Sequence, residues 1–167
     1  MTQTPKQNSP EAALAALLAI MAKLRDPDGG CPWDLVQDFA SIAPYTIEEG
    51  YEVADAIAAE DPGKLLDELG DLLFQVVYHA QMAAEARHFG WDDVVARISD
   101  KMVTRHPHVF GDESRDKSAN QQVADWEKVK AAERGGATTS ALDGVALGQC
   151  FGRNVCPAEA NQTRRLA

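Results

Sequence analysis

The chain has 167 residues, 45% of them hydrophobic, which is enough for one domain with a sizeable core. A formal net charge of −10 repels a phosphate backbone and argues against a general nucleic-acid binder, although metal ions and a few local cations can still hold a single nucleotide. Cys31, Cys150 and Cys156 have no short metal-ligand spacing and point to a reducing cytoplasm. The opening MTQTPKQNSP lacks the basic and apolar regions of a secretory signal, and no apolar run is long enough to span a bilayer, so no membrane partner is expected.

Residues 1–9 are polar and are expected to be disordered. Ser9 is a good cap, Pro10 suits the first helical position and Glu11 complements the helix dipole, so a first helix is expected from Pro10 to near Arg25. Leu14, Leu17, Leu18 and Met21 form its apolar stripe. Residues 26–41 then read as a loop entered through Asp26-Pro27-Asp28-Gly29-Gly30 and carrying Cys31-Pro32-Trp33-Asp34, Gln37 and Phe39. Trp33 is open to two readings: an aromatic face that stacks on a base, or a plug at the end of a helical bundle.

Residues 46–78 carry most of the functional content, as two helical runs folded back on each other at Asp61-Pro62-Gly63. Asp61 as N-cap and Pro62 at the first position start the second run antiparallel to the first. Glu49 and Glu52 sit three apart, beside Glu48, and Glu68 and Asp71 repeat that spacing, so each pair leaves one helical face about a turn apart. Counted outward from the turn, Glu52 is level with Asp71 and Asp55 with Glu68. The first run has a stripe of Ile47, Tyr51, Ala54 and Ile57, and the second, from Leu65 to Tyr78, is apolar nearly all round and is expected to be central and buried. Carboxylates near a core raise each other's pKa and call for a cation. Gly70, in mid-helix, predicts that another group approaches the backbone there.

An all-oxygen donor set of Glu49, Glu52, Glu68 and Asp71, without His or Cys, suits Mg²⁺ or Mn²⁺ better than Zn²⁺. The plainer alternative is a set of solvated acids on helical faces.

Beyond this hairpin the second run is expected to reach about His88 and to end at Gly90. A third long helix is expected from Asp92 or Asp93 to about Arg105, with Lys101 and Arg105 four apart on one face, either solvated or facing phosphate. His106-Pro107-His108 reads as a structural turn without a third metal ligand, and His79 as a hydrogen-bonded core residue. Glu85 and His88 match half of a di-iron bundle motif whose second half is missing from the sequence. Ser118 with Gln121 predicts a capping box for a last helix, Gln121 to Arg134, on which Trp126 and Lys130 are four apart. From Gly135 the chain is linker-like and then aperiodic, so residues 10–134 are expected to form the domain and residues 135–167 a linker and irregular tail.

Glu48-Glu49-x-x-Glu52 followed by Glu68-x-x-Asp71 resembles the signature of the MazG family of all-α nucleoside triphosphate pyrophosphohydrolases. The resemblance runs from about Leu14 to Arg134 and includes GCPWD (Gly30 to Asp34), ELGDLLFQVVYHAQMA (Glu68 to Ala83), ISDKM (Ile98 to Met102) and RHPHVFGD (Arg105 to Asp112). It implies an antiparallel bundle of about five helices, dimers or dimers of dimers, and hydrolysis of a nucleoside triphosphate to the monophosphate and pyrophosphate. Lys101 and Arg105 are similar to the family's KxxxR, and Trp126 and Lys130 to its WxxxK, which implies contacts with phosphate and nucleoside. In the family the Trp33 segment lies beside the nucleotide. Glu48 is then a candidate to orient or deprotonate water, or it points to solvent. Many members continue from a segment like Ser140 to Asp143 into a second copy of the domain, and that copy is not found here. Two other readings stay open: a non-catalytic dimerising or regulatory half, and a di-iron carboxylate oxidoreductase.

Overall fold

The computed structural model describes residues 9–133; the expectations for residues 1–8 and for the linker and tail, with Cys150 and Cys156, lie outside the described residues. The fold is all-α, with no strand among the described residues. The chain divides into two units, Met1–Ile98 and Ser99–Ala167.

The first unit opens with α1 (Pro10–Leu24), where Ser9 Oγ accepts the N–H of Ala12 at 3.3 Å as its cap. A single turn, α2 (Pro32–Leu35), forms inside the segment expected to be a loop. α3 (Phe39–Ala58) begins well before residue 46 and shortens that loop further. The cause is a capping box. Asp38 Oδ1 accepts the N–H of Ser41 at 2.8 Å, while Ser41 Oγ accepts the N–H of Asp38 at 2.9 Å. Pro44 lies within α3, where its ring removes one backbone donor without stopping a helix already nucleated upstream.

α3 ends on Glu60, which has a left-handed φ of 51°. The N–H groups of Glu60 and Asp61 return to the carbonyls of Ile57 and Ala56 at 3.1 and 3.2 Å, the two bonds of a Schellman closure. Asp61 then caps α4 (Pro62–Glu85), its carboxylate accepting the N–H groups of Gly63 and Lys64 at 3.0 and 3.1 Å. α4 stops earlier than expected. Arg87, with φ 59°, takes the left-handed position expected for Gly90, and the N–H of His88 reaches the carbonyl of Ala83 at 2.9 Å. Gly90 instead precedes α5 (Trp91–Arg105), donating its N–H to Asp93 at 2.9 Å.

α3 and α1 both pack along α4. The core is formed by Met21 of α1, Ile42 of α3, and Val77, Tyr78 and Met82 of α4, with Leu17, Leu18, Phe74 and Trp91 against it. Each such side chain contributes about 1.5–3 kcal/mol on burial. The expected all-round burial of α4 holds only in part, since its buried residues lie almost entirely in the second half. One stripe stays uncovered: Leu66 is 73% exposed, and Leu69, Leu73 and, in the second half, Val76 are exposed with it, as are Ile47, Tyr51 and Ile57 on α3. Gly70 corrects another expectation: nothing lies within 4 Å of the position a Cβ would take. The residue sits on the uncovered side of the helix rather than beneath a crossing group.

In the second unit, α6 (Pro107–Phe110) is one turn and α7 (Ala119–Glu133) begins two residues before Gln121. The expected box is present: the N–H of Ser118 donates to Gln121 Oε1 at 2.8 Å, and that of Gln121 to Ser118 Oγ at 3.3 Å. No helix of the described residues is long and apolar enough to cross a membrane.

Candidate metal centre

The turn at Asp61 brings the acids of α3 and α4 together. Glu49, Glu68 and Asp71 each offer a carboxylate oxygen, and these oxygens lie within 4.8 Å of one another. Glu68 is buried, Glu49 is half-buried and Asp71 is exposed, so the cluster has a wall and an open side. Burial, followed by the charges of Asp71, Glu52 and Glu48, holds the Glu49 carboxyl above its usual range. Glu68 is also pushed up, first by burial and then by a hydrogen bond and charge from Glu52. Both effects favour the neutral form of Glu68 over the charged one.

Of the four ligands expected, three form the tight cluster, and Glu52 joins it through Glu68. Asp55, level with Glu68 by counting, is exposed. Glu48 is exposed as well, and its charge acts on Glu49. Lys64 is the nearest recorded cation, its Nζ 4.0 Å from Glu68 Oε1. Its position one turn before Glu68 is an i, i+4 signal that was legible in the sequence. One half-exposed ammonium does not balance this many acids. The donor set, all oxygen and crowded with like charge, fits a hard divalent ion, which would offset the burial and the repulsion together.

An aromatic group stands one turn from the cluster. Tyr45 precedes Glu49 by four residues on α3 and shares its face. The half-exposed ring of Trp33 meets Tyr45 edge-on, with centroids 6.0 Å apart. Phe39 stacks parallel to His79 at 5.9 Å, and His79 Nε2 is 3.0 Å from Thr46 Oγ1. Burial lowers the His79 pKa. His79 thus bonds α4 to α3, as expected of a core histidine.

The sequence reading missed the support behind Trp33. The Arg25 guanidinium, at the end of α1, clasps Glu85 of α4 through Nε and Nη2, at 2.9 and 2.6 Å. Its Nη1 donates to the main-chain carbonyls of Asp34 and Gln37. The Tyr78 hydroxyl also donates to the Asp34 carbonyl, at 3.0 Å, and burial pushes its pKa up to about 12. Sixty residues separate Arg25 from Glu85, so no local pattern marks the pair. The Glu85 carboxylate is held by Arg25 and Gln81, so this residue, whose match to half of a di-iron motif lacked a second half, serves an ion pair.

In the second unit, Lys101 is exposed and Arg105 half-buried, both on α5, and the half-buried Trp126 is on α7. His106 packs edge-on to Trp126 at 5.2 Å, and its Nδ1 is 2.6 Å from the Met102 carbonyl. Arg105 lines a cavity of about 310 Å³ with Lys117, Gln122 and Lys128. Lys117 and Lys128 are both paired with Asp125, at 3.0 Å. Lys130 lies on α7, but its side chain is outside the described residues.

Residues 37–110 match the model of the MazG nucleotide pyrophosphohydrolase domain. Over 130 residues the chain is 58% identical to a nucleoside triphosphate pyrophosphohydrolase of Escherichia coli (strain K12), a match covering 77% of this chain and 49% of that protein. Identity is 45% over 119 residues to the nucleoside triphosphate pyrophosphohydrolase/pyrophosphatase MazG of Thermotoga maritima, covering 71% and 44% of the two chains. It is 39% over 138 residues to a nucleoside triphosphate pyrophosphohydrolase of Mycobacterium tuberculosis, covering 81% and 40%. The chain thus spans about half the length of these relatives, or less.

Proposed function

We propose that this chain, which belongs to the MazG family by the domain it carries, hydrolyses nucleoside triphosphates to nucleoside monophosphate and pyrophosphate. The supporting observation is the convergence of Glu49, Glu68 and Asp71 from two antiparallel helices, with Glu52 bonded behind them. These four residues would hold Mg²⁺, or Mn²⁺ in its place. When bound, such an ion neutralises phosphate oxygens and lowers the pKa of a coordinated water.

The chain's own residues do the rest. Burial and neighbouring charge favour the neutral forms of Glu49 and Glu68, so metal binding should strengthen as pH rises. Glu48, exposed beside the cluster, takes the proton of the attacking water. Lys101, Arg105 and Lys130 stabilise charge on the phosphoryl oxygens, while Trp33 and Trp126 stack on the nucleoside. The uncovered stripe of Leu66, Leu69, Leu73 and Val76 supports assembly as a homodimer or a dimer of dimers. The setting is the cytoplasm.

A panel of NTPs and dNTPs, incubated with and without Mg²⁺ and followed by product identification, tests this. Equimolar monophosphate and pyrophosphate, formed only with metal, is the expected result. A second reading is a domain that dimerises without turnover; intact helicity with no pyrophosphate released would select it.

A further inference from the structure

We infer that Arg25 and Glu85 form a positioning clamp that fixes the Trp33 turn for nucleoside recognition, so that substrate affinity depends on an ion pair that never meets the substrate. The inference rests on the nucleotide reading of Trp33 given above.

The turn has little freedom in its main chain. The Asp34 carbonyl accepts from Arg25 Nη1 and from the Tyr78 hydroxyl, and the Gln37 carbonyl accepts from Arg25 Nη1 at 3.3 Å. The Trp33 carbonyl accepts from the Gln37 side chain at 2.8 Å. Upstream, the N–H of Cys31 is bonded to the Leu24 carbonyl at 2.7 Å, where a Cβ on Gly30 would lie 2.3 Å from the same oxygen. Trp33, by contrast, is 49% exposed, and its ring meets that of Tyr45 edge-on. A tryptophan that served only as a plug would have its ring buried and its backbone free. Here the ring is presented and the backbone is held, as required of an aromatic that must meet a base at low entropic cost.

Arg25 can act in this way because its side chain is only 9% exposed. The planar fork meets both Glu85 oxygens along its Nε–Nη2 edge while the third nitrogen, Nη1, spans two carbonyls, a geometry that lysine does not reproduce. Arg25→Lys keeps the charge and loses the span.

The test combines hydrogen exchange with kinetics on the full chain, comparing wild type, Arg25→Lys, Glu85→Gln, Trp33→Ala and Arg25→Lys with Trp33→Ala. In Arg25→Lys and Glu85→Gln, the amides of Leu35 and Gln37 should lose protection while those of α4 keep theirs. The KM for nucleoside triphosphate should rise about tenfold with kcat held within about twofold, the size of one lost stacking contact. In the Trp33→Ala background, Arg25→Lys should add nothing further. Retained protection of the turn, an unchanged KM, or penalties that add in the double variant would overturn the clamp. A wild-type chain that turned over no nucleotide would instead sink the proposed function, and the exchange data would still decide whether Arg25 holds the turn.

Discussion

The two halves of α4 share one helix and one neighbour but are built for different ends. Between Gln75 and Ala83 the helix buries Gln75, Val77, Tyr78, Ala80, Met82 and Ala83 where it packs with α1 and α3, and its Tyr78 hydroxyl and neighbouring Glu85 are fully partnered. From Leu65 to Asp71 it exposes leucines and carries acids that repel one another. Stability is concentrated at one end, leaving the other able to hold groups in an unfavourable arrangement that the proposed metal ion and partner chain would relieve.

The largest expected effect lies at the acidic end. Glu68→Ala or Asp71→Ala should lower pyrophosphate release by at least about a hundredfold, with helical circular dichroism unchanged. Unaltered turnover in both variants would remove the proposed ligands. Next, Met21→Ala in the core should cost about 2–5 kcal/mol in urea unfolding. Leu69→Ala, at the uncovered end, should barely move the unfolding of a monomer but should weaken self-association in sedimentation. Similar stability losses from the two would erase the contrast between the halves.

The pH dependence sharpens it, because the two ends have opposite signs. The Glu49 and Glu68 carboxyls are raised from 4.5 in the folded chain. In metal-free buffer their stabilising contribution is therefore complete below pH 4.5 and is lost as pH rises through their folded values. Glu85 is lowered from 4.5, chiefly by its bond to Arg25. Its contribution is present above pH 4.5 and is lost as pH falls through its folded value. In urea midpoints measured across this range, Glu68→Gln should flatten the decline towards neutral pH, and Glu85→Gln should flatten the acid limb. Added Mg²⁺ should oppose the first effect and leave the second alone. The smallest change is Arg87→Gly, which removes left-handed strain at the end of α4 and should add about 0.5–1 kcal/mol to the unfolding free energy.

Much of this was legible in the sequence where the determining forces are local. Asp61-Pro62, Ser9-Pro10 and Ser118 with Gln121 mark helix starts through bonds spanning at most three residues. The two acid pairs announce themselves by spacing on neighbouring helices. Asp38 with Ser41 was equally local, but the turn residues from Asp26 to Gly30 made the segment read as a loop. Gly90 attracted the helix end because glycine favours left-handed backbone, yet the buried Met82 and Ala83 fix where α4 stops, and Arg87 bears the strain. The clasp between Arg25 and Glu85 arises only from packing, and so does the bareness of Leu66. Nothing in either residue's neighbourhood encodes what will, or will not, come to cover it.

The turn between α3 and α4 has no spare residue, since Asp61 closes one helix with its amide and opens the next with its carboxylate. One residue inserted there would have no slack to absorb it and would turn α4 by about 100° about its own axis. The acids would then face away from Glu49 even though every side chain was still present. The separation between these helices along the chain is thus a tolerance held to a single residue, and a change of length should be borne least at that hinge.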